Sequence, residues 1–193
     1  MKLVVQRVTQ AKCEVDNKVT GQVKTGYMVL VGFGLDDDKT IVEKMASKLS
    51  KLRIFDDQDG KINLSINDVG GRILSISQFT LYADCAKGNR PSFVNALGGE
   101  KAIELYKYFN ECLRNIGLEV EEGIFGADMK ISLLNDGPVT IILDSKEILW
   151  LKNLVWMILC KWKKTILVRN HIIGRLSELV LILKLNVKDV VLS

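Results

Sequence analysis

With 193 residues, 48% hydrophobic and 26% charged, the chain suits one globular domain, or one domain plus an appendage, and can bury a sizeable core. Its net charge of +4 is unevenly spread: nine Lys/Arg face three acids after Ser145, so the other 18 basic and 20 acidic residues leave the body mildly acidic. That balance excludes broad electrostatic capture of nucleic acid by the body; any RNA contact there must be local.

The chain opens with MKLVVQRV, which lacks the long apolar segment of a secretory signal, so a cytoplasmic location is expected. Leu3–Val8 and Met28–Phe33 are short, apolar and β-branched and read as strands, with a hairpin turn at Asp16-Asn17-Lys18 between them. Gly34 and the run Asp36-Asp37-Asp38 close the second strand as a solvated turn. Ile41, Val42, Met45, Ala46, Leu49 and Leu52 then recur at helical spacing. Asp56 to Gly60 is a polar break, and Arg72 to Tyr82 reads as a strand rich in β-formers. A second helical stripe runs through Ile103, Tyr106, Phe109, Leu113 and Ile116 and stops at Gly117. Val120, Met129–Leu134 and Val139–Leu143 are later strands, the last two joined tightly by Asn135-Asp136-Gly137-Pro138. Many strands with two helices indicate an α+β fold with a β-barrel-like sheet rather than a doubly wound one. Beyond residue 145 the character changes to a basic, hydrophobic tail that holds all three tryptophans and the single histidine, His171. Lys161, Lys163, Lys164 and Arg169 interrupt its apolar clusters, so no membrane span is expected.

The missing histidine constrains the chemistry. A Ser-His or Cys-His centre needs a base within reach of its nucleophile, and residues 1–145 contain no histidine. Cys13, Cys85, Cys112 and Cys160 lie scattered without a CxxC pair, which disfavours zinc or a disulfide framework and suggests small packed hydrophobes. Gly32-Phe33-Gly34 lacks the third glycine of a dinucleotide motif. Neither metal nor cofactor is expected. Lys87-Gly88-Asn89-Arg90 is a compact basic loop, equally open to phosphate contact or plain solvation. Ser77-Gln78-Phe79-Thr80 places polar groups in an otherwise apolar strand, which implies either a hydrogen-bonded network or a site. Gly137-Pro138 is either a turn or a built feature, since proline can adopt a cis bond.

Taken in order, VVQRV (Val4–Val8), LRIFDD (Leu52–Asp57), GKIN (Gly60–Asn63), SQFTLYAD (Ser77–Asp84), KGNRPSF (Lys87–Phe93), FGADM (Phe125–Met129) and NDGPVT (Asn135–Thr140) resemble the D-aminoacyl-tRNA deacylase family, over residues 1 to about 144. The resemblance implies a homodimer with a barrel-like fold and a site at the subunit contact, and D-aminoacyl-tRNA as the partner, with no DNA and no membrane. It implies a pocket formed by Ser77, Gln78, Phe79 and Thr80, with Ser77, Phe79 and Thr80 in the catalytic role and Gln78, Arg7, Phe125 and Met129 binding substrate. It further implies that Gly137 and Pro138, joined by a cis peptide, enter the neighbouring subunit's pocket and reject the L form, while Arg7 holds them. In this family the 2′-hydroxyl of the terminal ribose assists ester cleavage, which agrees with the absent histidine.

The pattern stops near Asp144, giving an expected division into a 1–145 deacylase domain and a 146–193 tail outside the family. The alternative reading is a dimeric RNA-binding module that has the fold without the catalysis. A metal-dependent hydrolase is disfavoured because the body offers no histidine ligand.

Overall fold

The computed structural model describes residues 1–148; the expectations for the tail lie outside the described residues. Strand β1 (Lys2–Val15) is the backbone of the sheet. It turns at Asp16 and Asn17, whose φ values of 50° and 61° are those of a tight two-residue hairpin. The chain returns antiparallel along the far half of β1 as β2 (Lys18–Val23), then along the near half as β3 (Gly26–Gly32). Strand β6 (Arg72–Ser77) adds parallel to β3, and β7 (Val120–Glu122) adds parallel to β6. The opposite edge of β1 is paired along most of its length by β8 (Lys130–Asp144). The sheet curls until β7 lies beside β2: a Cβ placed on Gly21 would stand 3.1 Å from the Glu122 carbonyl oxygen. The result is the nearly closed barrel-like sheet that the strand-rich pattern suggested.

Parallel neighbours need crossovers. The first carries α1 (Lys39–Ser50) and a small hairpin of β4 (Arg53–Asp56) and β5 (Ile62–Ser65); the second carries α2 (Gly99–Asn115). Asp38 caps α1, its carboxylate accepting from the Ile41 N–H at 2.8 Å. Val42, Met45, Ala46 and Leu49 of α1, with Leu105, Tyr106, Phe109 and Leu113 of α2, pack against Leu3, Val5, Tyr27, Val29 and Ile73 of the sheet. A smaller apolar cluster, Val8, Ala11, Cys13, Val23, Met28, Leu74 and Ile76, lies beside Met129 and Ile131. The second stripe is displaced from its expected line: Leu105 and Asn110 are buried and Ile116 is exposed, because the helix ends at Asn115.

Four expectations are corrected. Arg72–Tyr82 is not one strand: β6 stops at Ser77, and Phe79–Tyr82 forms a single 3₁₀ turn. The two last strands are one, β8, interrupted by an excursion. Asn135 faces Val8 and Thr140 faces Gln6, so Asp136–Val139 stand out from the ladder opposite Arg7. The Asp36–Asp38 turn is not wholly solvated, since Asp37 is 5% exposed. Of the cysteines, Cys13 is buried as a small hydrophobe but Cys85 is exposed. Among the described residues no helix is long and apolar enough to cross a membrane.

Candidate active site

A cleft of about 290 Å³ opens where β6 ends. Its walls include Gly32 and Phe33 at the end of β3, Ser77, Gln78 and Phe79 after β6, Ala102 of α2, and Phe125 and Met129 from the segment leading into β8. Five of the expected site residues (Ser77, Gln78, Phe79, Phe125 and Met129) thus line one cavity. Thr80 lies just outside its wall, exposed on the 3₁₀ turn, and accepts a 2.5 Å hydrogen bond from the Gln78 amide. Its own hydroxyl proton is left free to donate.

The turn is placed by the end of β3. The Gln78 N–H donates to the Val31 carbonyl at 2.7 Å, prolonging the β3–β6 ladder by one bond. Gly32 is required by close approach: a Cβ there would lie 2.8 Å from the Gln78 carbonyl oxygen and 3.1 Å from Leu81 Cβ. The far end of the turn is tied down by Asp37, whose carboxylate receives the Tyr82 hydroxyl at 3.3 Å, the Gly34 N–H at 2.6 Å and the Met1 amino group at 2.5 Å. Burial, then the nearby Asp37 and Asp144 charges, push the Tyr82 phenol above its ordinary range, so it remains a donor. The first N–H groups of a helical turn have no partner within it. Here those belong to Phe79 and Thr80.

Behind the cleft, Tyr106 donates to the Ser75 carbonyl at 2.8 Å and lays its ring 5.9 Å from that of Phe125. This contact fixes the aromatic wall from α2. Among the lining residues Asp128 is the one charged group, and it is held by Lys130 at 3.0 Å. The lining holds no histidine, and its one carboxylate is paired with Lys130 rather than with the Ser77 hydroxyl.

Arg7, Gly137 and Pro138 do not line this cleft; they form a separate assembly. Arg7 is 5% exposed. Its Nη1 donates to the Ile54 carbonyl at 2.8 Å and meets Asp56 at 3.2 Å, while its Nε reaches the Asp136 carbonyl at 3.2 Å and carboxylate at 3.0 Å. The excursion is closed at its base by Asn135, whose side-chain oxygen accepts the Val139 N–H at 2.9 Å and whose amide donates to Thr140 at 3.1 Å. Gly137 has φ of 117°, and the Gly137–Pro138 bond is cis. Both residues are exposed within the β8 excursion. Asp37, Tyr82, Tyr106 and Asn135 have supporting roles and are not among the expected site residues. Only Asn135 carried a local signal, an amide side chain at the start of a turn.

The match to known proteins decides the family. The family model described as D-Tyr-tRNA(Tyr) deacylase covers residues 4–144. The chain belongs to the D-Tyr-tRNA(Tyr) deacylase family. Within this deacylase family, the D-aminoacyl-tRNA deacylase of Deinococcus radiodurans is 55% identical over 144 residues, 75% of this chain and 99% of that one. The D-aminoacyl-tRNA deacylase of Lactobacillus gasseri is 54% identical over the same shares. A solved structure named c-Myc DNA Unwinding Element Binding Protein superposes with a TM-score of 0.71 at 41% identity, covering 75% of this chain and 98% of its own. A second, described as a probable eukaryotic D-amino acid tRNA deacylase, gives 0.65 at 20% identity over 74% and 98%, and shares the fold.

Proposed function

We propose that the protein is a D-aminoacyl-tRNA deacylase that hydrolyses the ester between a D-amino acid and the terminal ribose of tRNA, giving free amino acid and tRNA. The observation that carries the reading is the cleft itself. Its wall combines an apolar and aromatic surface with the start of a 3₁₀ turn, whose first N–H groups have no partner within the turn, and its one charged group, Asp128, is paired with Lys130. Such a site positions and stabilises charge rather than supplying a nucleophile. The aminoacyl group and terminal adenosine lie along Ser77–Thr80, with Phe125 beside the adenine and Met129 at the wall. The vicinal 2′-hydroxyl is held next to the scissile ester by the substrate, so proximity comes with it. The Phe79 and Thr80 N–H groups stabilise the developing oxyanion.

The working unit in this proposal is a homodimer. Strand β8 has no neighbour on its outer edge among the described residues, and Leu134 and Ile142 project from it 56% and 69% exposed on either side of Gly137–Pro138. An open edge bearing apolar side chains favours a second copy. Docking there presents Gly137–Pro138 to the other subunit's cleft, where an L side chain meets the backbone and a D side chain points away. Glycine has no side chain to reject, so glycyl-tRNA is a second substrate. Residues 1–145 carry this activity, and a chain cut after Ser145 retains it.

The 2′-hydroxyl step is tested with D-tyrosyl esters at the 3′-oxygen of tRNA ending in adenosine or 2′-deoxyadenosine. A loss of at least about 100-fold on the deoxy substrate supports the mechanism, since general acid–base assistance contributes about 10²–10⁴-fold. Equal rates contradict it. Binding of D-tyrosyl-tRNA without release of D-tyrosine supports the catalytically silent RNA-binding module instead.

A further inference from the structure

Beside the cleft, Phe79 does more than line a wall. It is 54% exposed, and the ring of Phe93, itself 37% exposed, stands edge-on to it with centroids 5.0 Å apart and planes at 63°. Two large rings are thus partly open to solvent at the rim of a substrate cavity, followed by Val94 at 72% exposure. Phe93 is held there by a closed loop: Asp84 and Ser92 exchange backbone hydrogen bonds of 2.7 and 2.9 Å. The loop between them carries Lys87 and Arg90, both exposed and engaged in no ion pair among the described residues.

We infer that Phe93, with Lys87 and Arg90, is a seat for the nucleotide preceding the terminal adenosine of the substrate. The inference rests on the deacylase reading and extends it past the reacting nucleotide. In this reading a single-stranded RNA end reaches the cleft past Phe79 and so passes Phe93. Exposed aromatic rings beside free cations are the composition that holds single strands, the rings by stacking and the cations by phosphate contact. The mildly acidic body makes these two cations a local feature rather than part of a general field. The surface is continuous with the site through Phe79. The apolar projections assigned to subunit pairing lie instead on β8.

The test uses the full chain and two short substrates, D-tyrosyl-adenosine and D-tyrosyl-cytidylyl-adenosine, which differ by the nucleotide in question. In the unmodified protein the added nucleotide lowers KM about 10-fold, the effect of one stacked base. Phe93→Ala loses most of that gain, and Phe93→Trp retains it. Replacing Lys87 and Arg90 with Gln flattens the salt dependence of KM on D-tyrosyl-tRNA. Three results overturn the inference. The unmodified protein gains nothing from the added nucleotide; Phe93→Ala slows both substrates equally, which makes the ring a prop for Phe79; or Phe93→Ala is monomeric by light scattering, which makes it a subunit contact. If the unmodified protein releases no D-tyrosine from either substrate or from D-tyrosyl-tRNA, the deacylase reading falls and the inference falls with it.

Discussion

Arg7 stands across the ladder from the β8 excursion, and its Nε lies 3.2 Å from the carbonyl and 3.0 Å from the carboxylate of Asp136. Its other contacts, to the Ile54 carbonyl and Asp56, anchor the same guanidinium on β4. One buried side chain therefore ties the segment that carries Gly137–Pro138 to the β4–β5 hairpin. Lysine cannot reproduce a planar fork that bonds in two directions. Arg7→Lys is expected to lower the ratio of D- to L-tyrosyl-tRNA cleavage about 10-fold or more, a value set by the loss of about one charged hydrogen bond. A ratio equal to that of the unmodified protein would show that the tether does not act in selection.

Gly137 gives an independent perturbation of the same segment. A Cβ there would lie 2.8 Å from Val139 Cγ2 and 3.1 Å from Arg7 Nη2, at a φ of 117° that L side chains rarely adopt. Gly137→Ala is expected to cost about 1–3 kcal/mol in denaturant unfolding. L-tyrosyl-tRNA cleavage should rise as the segment shifts. Unchanged stability and unchanged selectivity together would mean that the backbone tolerates the side chain.

At the cleft, Gly32→Ala presses on the Gln78 carbonyl, which is backbone and cannot swing aside. The 3₁₀ turn must move, and a displacement near 1 Å at a positioned site costs about 100-fold. The expected signature is a fall in kcat with the circular dichroism spectrum preserved. A kcat within twofold of the unmodified protein would remove Gly32 from the positioning of the turn.

Asp37 is buried among three donors, the Tyr82 hydroxyl, the Gly34 N–H and the Met1 amino group. Removing one partner of a buried charged pair leaves the other uncompensated and costs about 3–5 kcal/mol. Asp37→Ala should lose stability on that scale in urea unfolding. Tyr82→Phe, which gives up one long hydrogen bond, should lose only about 1 kcal/mol. The reverse order would relocate the anchor of the turn to the Tyr82 hydroxyl.

Alkaline pH provides a third handle on stability. Burial raises the phenols of Tyr27, Tyr82 and Tyr106 above their ordinary value of 10.0. Above pH 10 the unfolded chain releases these protons while the folded chain keeps them, so stability is full below that pH and falls as pH rises through the window. Urea midpoints should decline between about pH 9.5 and 11, and Tyr27→Phe should reduce the slope. A flat profile would show that the phenols ionise alike in both states.

Sequence reading reached the parts of this fold that follow from local pattern. The hairpin at Asp16–Asn17 and the apolar face of α1 were legible because turn chemistry and a 3.6-residue period are written in neighbouring residues. The strand expected through Tyr82 ends at Ser77: Phe, Thr and Tyr favour strands, but Phe79–Tyr82 forms a 3₁₀ turn that sits against Gly32 and is fastened at its far end by Asp37, 45 residues away from Tyr82. The β8 excursion was legible as a break but not as an interruption of one strand. Its continuity depends on pairing with β1 on both sides of Arg7. Asp37 resembled its solvated neighbours because nothing in an Asp-Asp-Asp run marks which carboxylate is buried. The residues of the cleft were found through their resemblance to a family, and composition alone left Ser77–Thr80 undecided between a network and a site.

The most direct measurement is the rate at which the purified full chain releases tyrosine from D-tyrosyl-tRNA and from L-tyrosyl-tRNA, side by side at equal concentration. The proposed function predicts rapid release from the D ester and release from the L ester no faster than its spontaneous hydrolysis. Equal cleavage of both esters, or of neither, would contradict it.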